Sequence, residues 1–324
     1  PIFIAMNQRG QRETDGALGS FCVQCHAPTA LRMGLTEDGL NLETIPKHLQ
    51  SVGCVFCHQV SEVRDDFNNG LVISDDGVMR GGIRSPDYTP AHRSAYSPLH
   101  DRANLDSAAM CGSCHDVQTP DGFDLERTYA EWRETLFNSE DPLQRNTCND
   151  CHMPGRSGAV AVGGAIRRRH DHGMPAVDIP LDEDPLTDSM RIQVQRELDT
   201  ALTAELCVIP RLGGAEVEIY LENLSAGHLF PSGASHDRRV WVEVIGYAGD
   251  EEVFTSGLVG DGQAIEELDP STVWMLHDRA FKADGSPAHM FWDVARVESG
   301  ALPAPNFMFP GAQDFVDPHV GRRY

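Results

Sequence analysis

No stretch of about eighteen consecutive apolar residues occurs in this sequence, which leaves nothing to span a membrane as a helix. Basic residues are scarce: 26 Lys and Arg stand against 49 Asp and Glu, a formal net charge of −23. A chain so acidic repels nucleic acid and anionic lipid, and it favours solubility or a surface that meets basic partners. Aromatic residues make up only 7% of the chain. Its 324 residues predict about two domains of roughly 150 residues each, yet side chains alone offer little to fill their cores. Spare cysteine is lacking too. Eight of the nine cysteines sit in one repeated motif, which excludes an ordinary disulfide framework.

What is present is that motif, four times over: Cys22-Val23-Gln24-Cys25-His26, Cys54-Val55-Phe56-Cys57-His58, Cys111-Gly112-Ser113-Cys114-His115 and Cys148-Asn149-Asp150-Cys151-His152. Cys-x-x-Cys-His is the attachment signature of a c-type haem. Two thiols add to the two vinyl groups of one porphyrin, and the adjoining histidine supplies an axial imidazole to the iron. Zinc ribbons use paired cysteines but do not require histidine after every second one. A thioredoxin-like redox site needs one such motif in a strand–helix unit, not four among glycine and proline. The motifs therefore predict four haem c groups, each with iron. Four flat apolar cofactors would supply the core volume that the side chains do not.

The chain reads as three parts. Residues 1–154 form a tetrahaem region of low regular secondary structure with short helices, built around haems. Residues 155–204 form a linker with a short helix, packing on haems. Residues 205–324 form a β-rich, small antiparallel sandwich-like domain, so the fold class is mixed. Within the first part, residues 1–21 read as a polar lead-in and Leu42, Ile45 and Leu49 keep helical spacing. Asn68-Asn69-Gly70 punctuates a short hairpin around Leu71–Ile73, and Asp75-Asp76-Gly77 reads as a turn. Leu125, Tyr129, Trp132 and Leu136 trace one helical face. In the linker, Arg167-Arg168-Arg169 stands out in so acidic a chain, suited to haem propionates or a neighbour's acidic patch. Val194, Leu198 and Leu202 keep helical spacing. Alternation then marks strands at residues 217–221 and 240–244, with shorter ones at Val253-Phe254, Trp274–Leu276 and Met290–Trp292. Cys207, in Leu206-Cys207-Val208-Ile209, reads as a buried, inert thiol.

Four irons need four further axial ligands or open sites. Fourteen histidines less the four in the motifs leaves ten, more than enough for bis-histidine ligation throughout. Bis-histidine haems are six-coordinate and low in potential, as a conductor needs, and they leave no iron for a substrate. His92 and His100, in the segment before the third motif, lead the candidates, with His172 just after the fourth motif. His228 joins them, in a loop between two strand-like segments. His289 comes next, then His170, His48 and His319, while His236 and His277 read as structural. The start Pro-Ile-Phe-Ile fits a processed chain whose signal segment has been removed. Covalent haem attachment places it outside the cytoplasmic membrane.

Several stretches resemble multihaem cytochromes: Gly53–His58, Ser97-Pro98-Leu99-His100 before Cys111–Val117, Thr147–Pro154, and Gly227-His228-Leu229-Phe230-Pro231-Ser232-Gly233 with Arg238, Arg239 and Trp241 after it. Together, over roughly residues 20 to 300, the chain resembles the OmcE-like tetrahaem cytochromes that polymerise into extracellular filaments. The resemblance implies bis-histidine haems stacked in a chain. It also implies copies of the protein in a helical filament, with one distal histidine crossing to the adjacent subunit.

These readings converge on an electron-transfer protein rather than an enzyme, the repeating subunit of an extracellular filament. Its partners would be further copies and redox cytochromes or extracellular acceptors, with no nucleic acid. A soluble periplasmic shuttle is the nearest rival, and a multihaem reductase or oxidase of a small nitrogen or sulfur compound the next. A pyridine haemochrome assay on the purified protein is expected to return four haems per chain. Two or fewer would break the one-motif, one-haem reading.

Overall fold

The computed structural model describes residues 2–86, 93–120, 122–160, 162–181, 186–260, 262–264, 269, 271–305 and 319–323. The chain divides into two compact units, Pro1–Asp199 and Thr200–Tyr324.

The first unit opens on helix α1 (Ile2–Glu13), so the expected polar lead-in is corrected to a twelve-residue helix. Its apolar residues are few but placed on one side: Phe3 and Ile4 pack on a core of Val23, Ala27, Ala30, Leu42 and Ile45. Asn7 and Gln11, one and two turns further, are buried and donate to the Asp38 carbonyl at 2.8 and 3.1 Å. Polar side chains thus hold α1 where a pattern of leucines would normally be sought. Short helices follow at α2 (Val23–His26) and α3 (Pro28–Arg32). The helix expected through Leu42, Ile45 and Leu49 is instead two 3₁₀ turns, Leu42–Thr44 and Lys47–Leu49. Pro46 separates them, because it has no N–H to continue a ladder. His48 lies exposed on the second turn.

Helix α4 (Cys54–His58) leads into the hairpin β1 (Val60–Asp65) and β2 (Gly70–Ile73). Strand β3 (Val78–Gly81) pairs in parallel with β4 (Arg93–Tyr96). Helix α5 (Asp106–Gly112) carries the first cysteine of the third motif. A two-residue strand β5 (Val117–Gln118) pairs with β6 (Asp124–Glu126). Leu125 therefore lies in a strand, and helix α6 spans only Thr128–Arg133. Tyr129 and Trp132 on it are buried as expected, with rings stacked at 5.7 Å and packed on Ala108 of α5. Helix α7 (Cys148–His152) carries the fourth motif. The hairpin β7 (Gly155–Ala159) and β8 (Ile166–His170) follows it, and then α8 (Thr187–Ala201).

The second unit is β-rich and antiparallel, as the alternation predicts. Strands β9 (Leu202–Arg211) and β10 (Gly214–Asn223) form a long hairpin whose turn has Gly213 at φ +85°. The remaining strands are β11 (Val240–Val242), β12 (Val244–Ala248), β13 (Glu251–Ser256), β14 (Trp274–Leu276), β15 (Arg279–Phe281), β16 (Arg296–Glu298) and β17 (His319–Arg323). Pairing runs β17–β10–β9, β11–β14, β12–β13 and β15–β16 among the described residues. The regular structure is thus several small sheets rather than two broad ones. Its core joins Ile219 and Leu221 to Trp274, Leu276 and Leu302. Two expectations are corrected here. Phe291–Asp293 is a 3₁₀ turn rather than a strand. Cys207 is exposed rather than buried, because β9 is an edge strand and its neighbours Leu206 and Val208 are exposed as well.

One turn ties the first unit together. Asn68 and Asn69 adopt left-handed φ of 49° and 59°, a region asparagine tolerates better than other side chains. That geometry points the hairpin tip away from its own strands. The Asn68 amide N–H donates to the Asp116 carbonyl at 3.0 Å, and the Asn69 N–H donates to the Ser113 carbonyl at 2.5 Å. The Asn69 side chain donates to the Gln24 carbonyl, inside the first motif. Replacing Asn69 by Ala removes that side-chain bond and leaves a Cβ residue without local compensation at positive φ. About 2 kcal/mol of stability should be lost. Asn69→Gly should lose less, since glycine adopts the conformation freely. Chemical denaturation of both variants checks this. Equal losses would show that the side-chain bond, not the backbone conformation, sets the cost.

Candidate haem attachment sites

Each motif begins or completes a short helix, which puts its two cysteines and its histidine at one end of a single turn. The first motif is α2 and its preceding residue. The second is α4, and the fourth is α7. The residues between the cysteines are used to fix these turns. In the fourth motif, Thr147 and Asp150 form a capping box, with the Thr147 N–H donating to Asp150 at 3.0 Å. Arg102 pairs with the same carboxylate at 2.9 Å. In the third, Ser113 is fully buried and donates to the Asp65 carbonyl at 2.9 Å. Gly112 lies against the Tyr129 ring, where a Cβ would come within 2.2 Å of Cγ, so this position admits only glycine without moving α6.

The third motif lies among the other three. The thiols of Cys25 and Cys114 lie close enough to shift each other's ionisation, as do those of Cys111 and Cys148. Asn149, buried between the cysteines of the fourth motif, places its side-chain oxygen 3.9 Å from Cys111 Sγ. Cys57 of the second motif is near enough to Cys111 and Cys114 to feel both thiols. Spatial order therefore departs from sequence order, with the third motif adjoining the first, second and fourth.

Burial pushes the Cys57 and Cys151 thiols up to about 11, and burial raises Cys22. In the two thiol pairs the shifts split: Cys114 and Cys148 are raised by their partner thiols, and Cys25 and Cys111 are lowered by theirs. Among the described residues, no three His, Cys, Asp or Glu side chains converge as a bare metal ion requires. The imidazoles of His26 and His115 have lowered pKa values, chiefly by burial, and each is lowered further by its neighbouring imidazole, His115 and His152 respectively. They are kept neutral, the form that ligates iron.

Carbonyl groups orient the rings. His58 Nδ1 lies 2.5 Å from the Arg80 carbonyl oxygen, and His152 Nδ1 lies 2.6 Å from that of Pro175. An imidazole that donates from Nδ1 to a carbonyl presents Nε2 to a metal, the outer-shell arrangement of haem and other metal-ligating histidines. His26 is held differently, with the Phe3 ring stacked on it at 4.3 Å and 17°. The donor set thus fits a covalently attached haem at each motif: two cysteines for the porphyrin and one imidazole for the iron.

The candidate distal ligands divide. His58 has two imidazole neighbours, His100 at 5.5 Å and 16°, and His172 at 6.2 Å and 38° between ring centroids and planes. His172 Nδ1 lies 3.1 Å from the His170 carbonyl, which leaves Nε2 for a metal. His100 has the opposite arrangement. Its Nε2 meets the Cys57 carbonyl at 2.8 Å, and its Nδ1 is buried without a hydrogen-bond partner. Burial also lowers its pKa. His92 lies outside the described residues.

His228 belongs to the second unit, in a loop that Asn223 holds at both ends. The nearly fully buried Asn223 side chain donates to the His228 carbonyl at 2.7 Å and accepts from the Ala226 N–H at 3.1 Å. His228 Nδ1 lies 2.7 Å from the Leu229 carbonyl oxygen. His236 and His277, expected to be structural, each keep one buried ring nitrogen without a hydrogen-bond partner.

The residues that sequence reasoning missed are those that hold the motifs: Phe3, Asn69, Asn149, Asp150, and the carbonyls of Arg80 and Pro175. Only the Asn-Asn-Gly turn gave a signal, and it marked a turn without saying what the turn would grip.

Comparison with known proteins agrees with this geometry. Residues 4–59, which contain the first two motifs, match the family described as cytochrome c554 and c-prime. No curated protein matches the chain. Among solved structures, the fold is similar to that of a penta-haem cytochrome c552 from Thermochromatium tepidum, with a TM-score of 0.61 and 19% identity. The likeness covers 94% of this chain and 71% of that one. At that identity it is a likeness of fold. With the four motifs, these findings support a multihaem c-type cytochrome.

Proposed function

We propose that the protein carries electrons over long distances through four covalently attached haem c groups, as the repeating subunit of an extracellular filament. The observation that carries the electron-transfer reading is the gathering of the first, second and fourth motifs against the third. Rates of electron tunnelling fall steeply with distance, so cofactors that serve a relay must be held close together. When bound, a c-type haem supplies a one-electron iron couple at each site.

The chain's own residues do the rest. Cys22 and Cys25, Cys54 and Cys57, Cys111 and Cys114, and Cys148 and Cys151 fix the four macrocycles. His26, His58, His115 and His152 supply the proximal imidazoles. Distal imidazoles come from His92, His100, His172 and His228. His172 Nε2 and His100 Nδ1 are the two ring nitrogens offered beside His58, and the oriented Nε2 of His172 favours it for that iron. His228 lies in the unit that carries no attachment motif. Full bis-histidine ligation would leave no iron for substrate, so the protein is read as a conductor rather than an enzyme. Among the described residues no helix is long and apolar enough to cross a membrane. The filament reading rests on the resemblance to the OmcE-like cytochromes, with the periplasm as the alternative location.

Electron microscopy of the protein as purified from its native source tests the filament. Long regular filaments of one repeating subunit are expected. Discrete particles of one or two chains, with haem retained, would overturn the filament and leave a soluble shuttle.

A further inference from the structure

Two exposed hairpins carry opposite charge and runs of like charge without an ion pair among the described residues. On the first unit, β8 presents Arg167, Arg168 and Arg169. Arg156, on the facing strand, is paired with Asp171 at 2.8 Å, but the three consecutive arginines make no ion pair among the described residues. Arg168 and Arg169 are exposed. Their stems lie across the hairpin, over glycines: a Cβ at Gly155 would meet Arg168 Nε at 2.1 Å, and one at Gly158 would meet Arg169 Nε at 3.1 Å. These glycines make the seat on which the side chains are presented. Beyond them the tip is apolar, with Val162 fully exposed and Ile166 and Val160 largely so. Apolar residues rimmed by arginine have the composition of a protein interface rather than of a solvated charge run.

On the second unit, the turn between β12 and β13 carries Asp250, Glu251 and Glu252, all exposed and without an ion pair among the described residues. Around it stand Tyr247, Val253 and Phe254, exposed by 61%, 60% and 42%. This second hairpin is the complement of the first: three carboxylates for three guanidinium groups, each beside exposed apolar side chains.

The geometry points to a contact between copies, in which the Arg167–Arg169 hairpin of one chain docks on the Asp250–Glu252 hairpin of the next. The occupant is a second copy because this chain itself supplies the complementary charge, in a matching number and on a matching kind of element. The two surfaces differ, so the contact is heterologous. Repeated without ring closure it builds a filament rather than a closed dimer. This names the surfaces for the filament reading, and it rests on that reading for its repetition. The arginine hairpin follows directly on the fourth attachment motif, so the contact brings that motif close to the joint between subunits.

The test uses the haem-loaded protein in sedimentation velocity at low and high ionic strength. At about 10 mM salt, where charges act over roughly 30 Å, the protein is expected to associate. At about 1 M, where they act over roughly 3 Å, association should weaken at least about tenfold. Reversing the arginines (Arg167→Glu, Arg168→Glu, Arg169→Glu) should abolish association. So should reversing the acids (Asp250→Lys, Glu251→Lys, Glu252→Lys). Both reversals in one chain should restore it. An unchanged haem spectrum shows that each variant folds. Failure of the double reversal to restore association overturns the contact, as does association indifferent to salt or to single reversal, or none at low salt. Filaments that persist in the reversed variants would overturn this contact while leaving the polymer standing. Salt-labile pairs without filaments, restored by the double reversal, would keep the contact and remove the polymer.

Discussion

Everything in the first unit depends on gathering the other three attachment turns around the third with few large side chains to do it. The core of that unit is small, and its buried residues include Ala27, Ala30, Ala108, Ser107 and Ser113. Backbone hydrogen bonds and short polar side chains therefore do the positioning. The hairpin tip at Asn68 and Asn69 reaches the third and first motifs at once. Asp150 caps its own helix and meets Arg102. A structure built this way tolerates little volume change at its contacts, as the close approach of Gly112 to Tyr129 illustrates.

The same economy explains what was legible in the sequence. Cys-x-x-Cys-His is legible because covalent chemistry demands its spacing, and the period-two alternation of β10 is legible because one face of that strand covers Leu276 and Leu302. The helix α1 was hidden because polar residues, Asn7 and Gln11, hold it. The spacing of Leu42, Ile45 and Leu49 suggested a helix that Pro46 forbids. Cys207 sits among apolar residues, which pattern reading equates with burial, but an edge strand can be apolar and exposed. Between the motif cysteines, Asn149 and Ser113 carry no sequence signal, since their roles depend on contacts 38 and 48 positions away, with Cys111 and Asp65.

The histidines show the limit of counting. The sequence ranks its ten candidates for distal ligation only by their place along the chain, and geometry separates those it describes by which ring nitrogen is engaged. His58 and His152 are set by carbonyls in the manner of proximal ligands, and His172 has the same orientation opposite His58. His100 offers the other nitrogen in the same neighbourhood. Such a surplus of placed imidazoles is what a chain needs if every iron is to be closed to substrate and devoted to moving electrons.

The central claim is therefore that every haem iron is six-coordinate. Low-temperature electron paramagnetic resonance of the oxidised, haem-loaded protein tests it most directly, with carbon monoxide added to the reduced form as a check. The account predicts only low-spin ferric signals and no carbon monoxide adduct. A high-spin signal from the native protein, or a haem that binds carbon monoxide, would reveal an open iron and turn the reading towards catalysis.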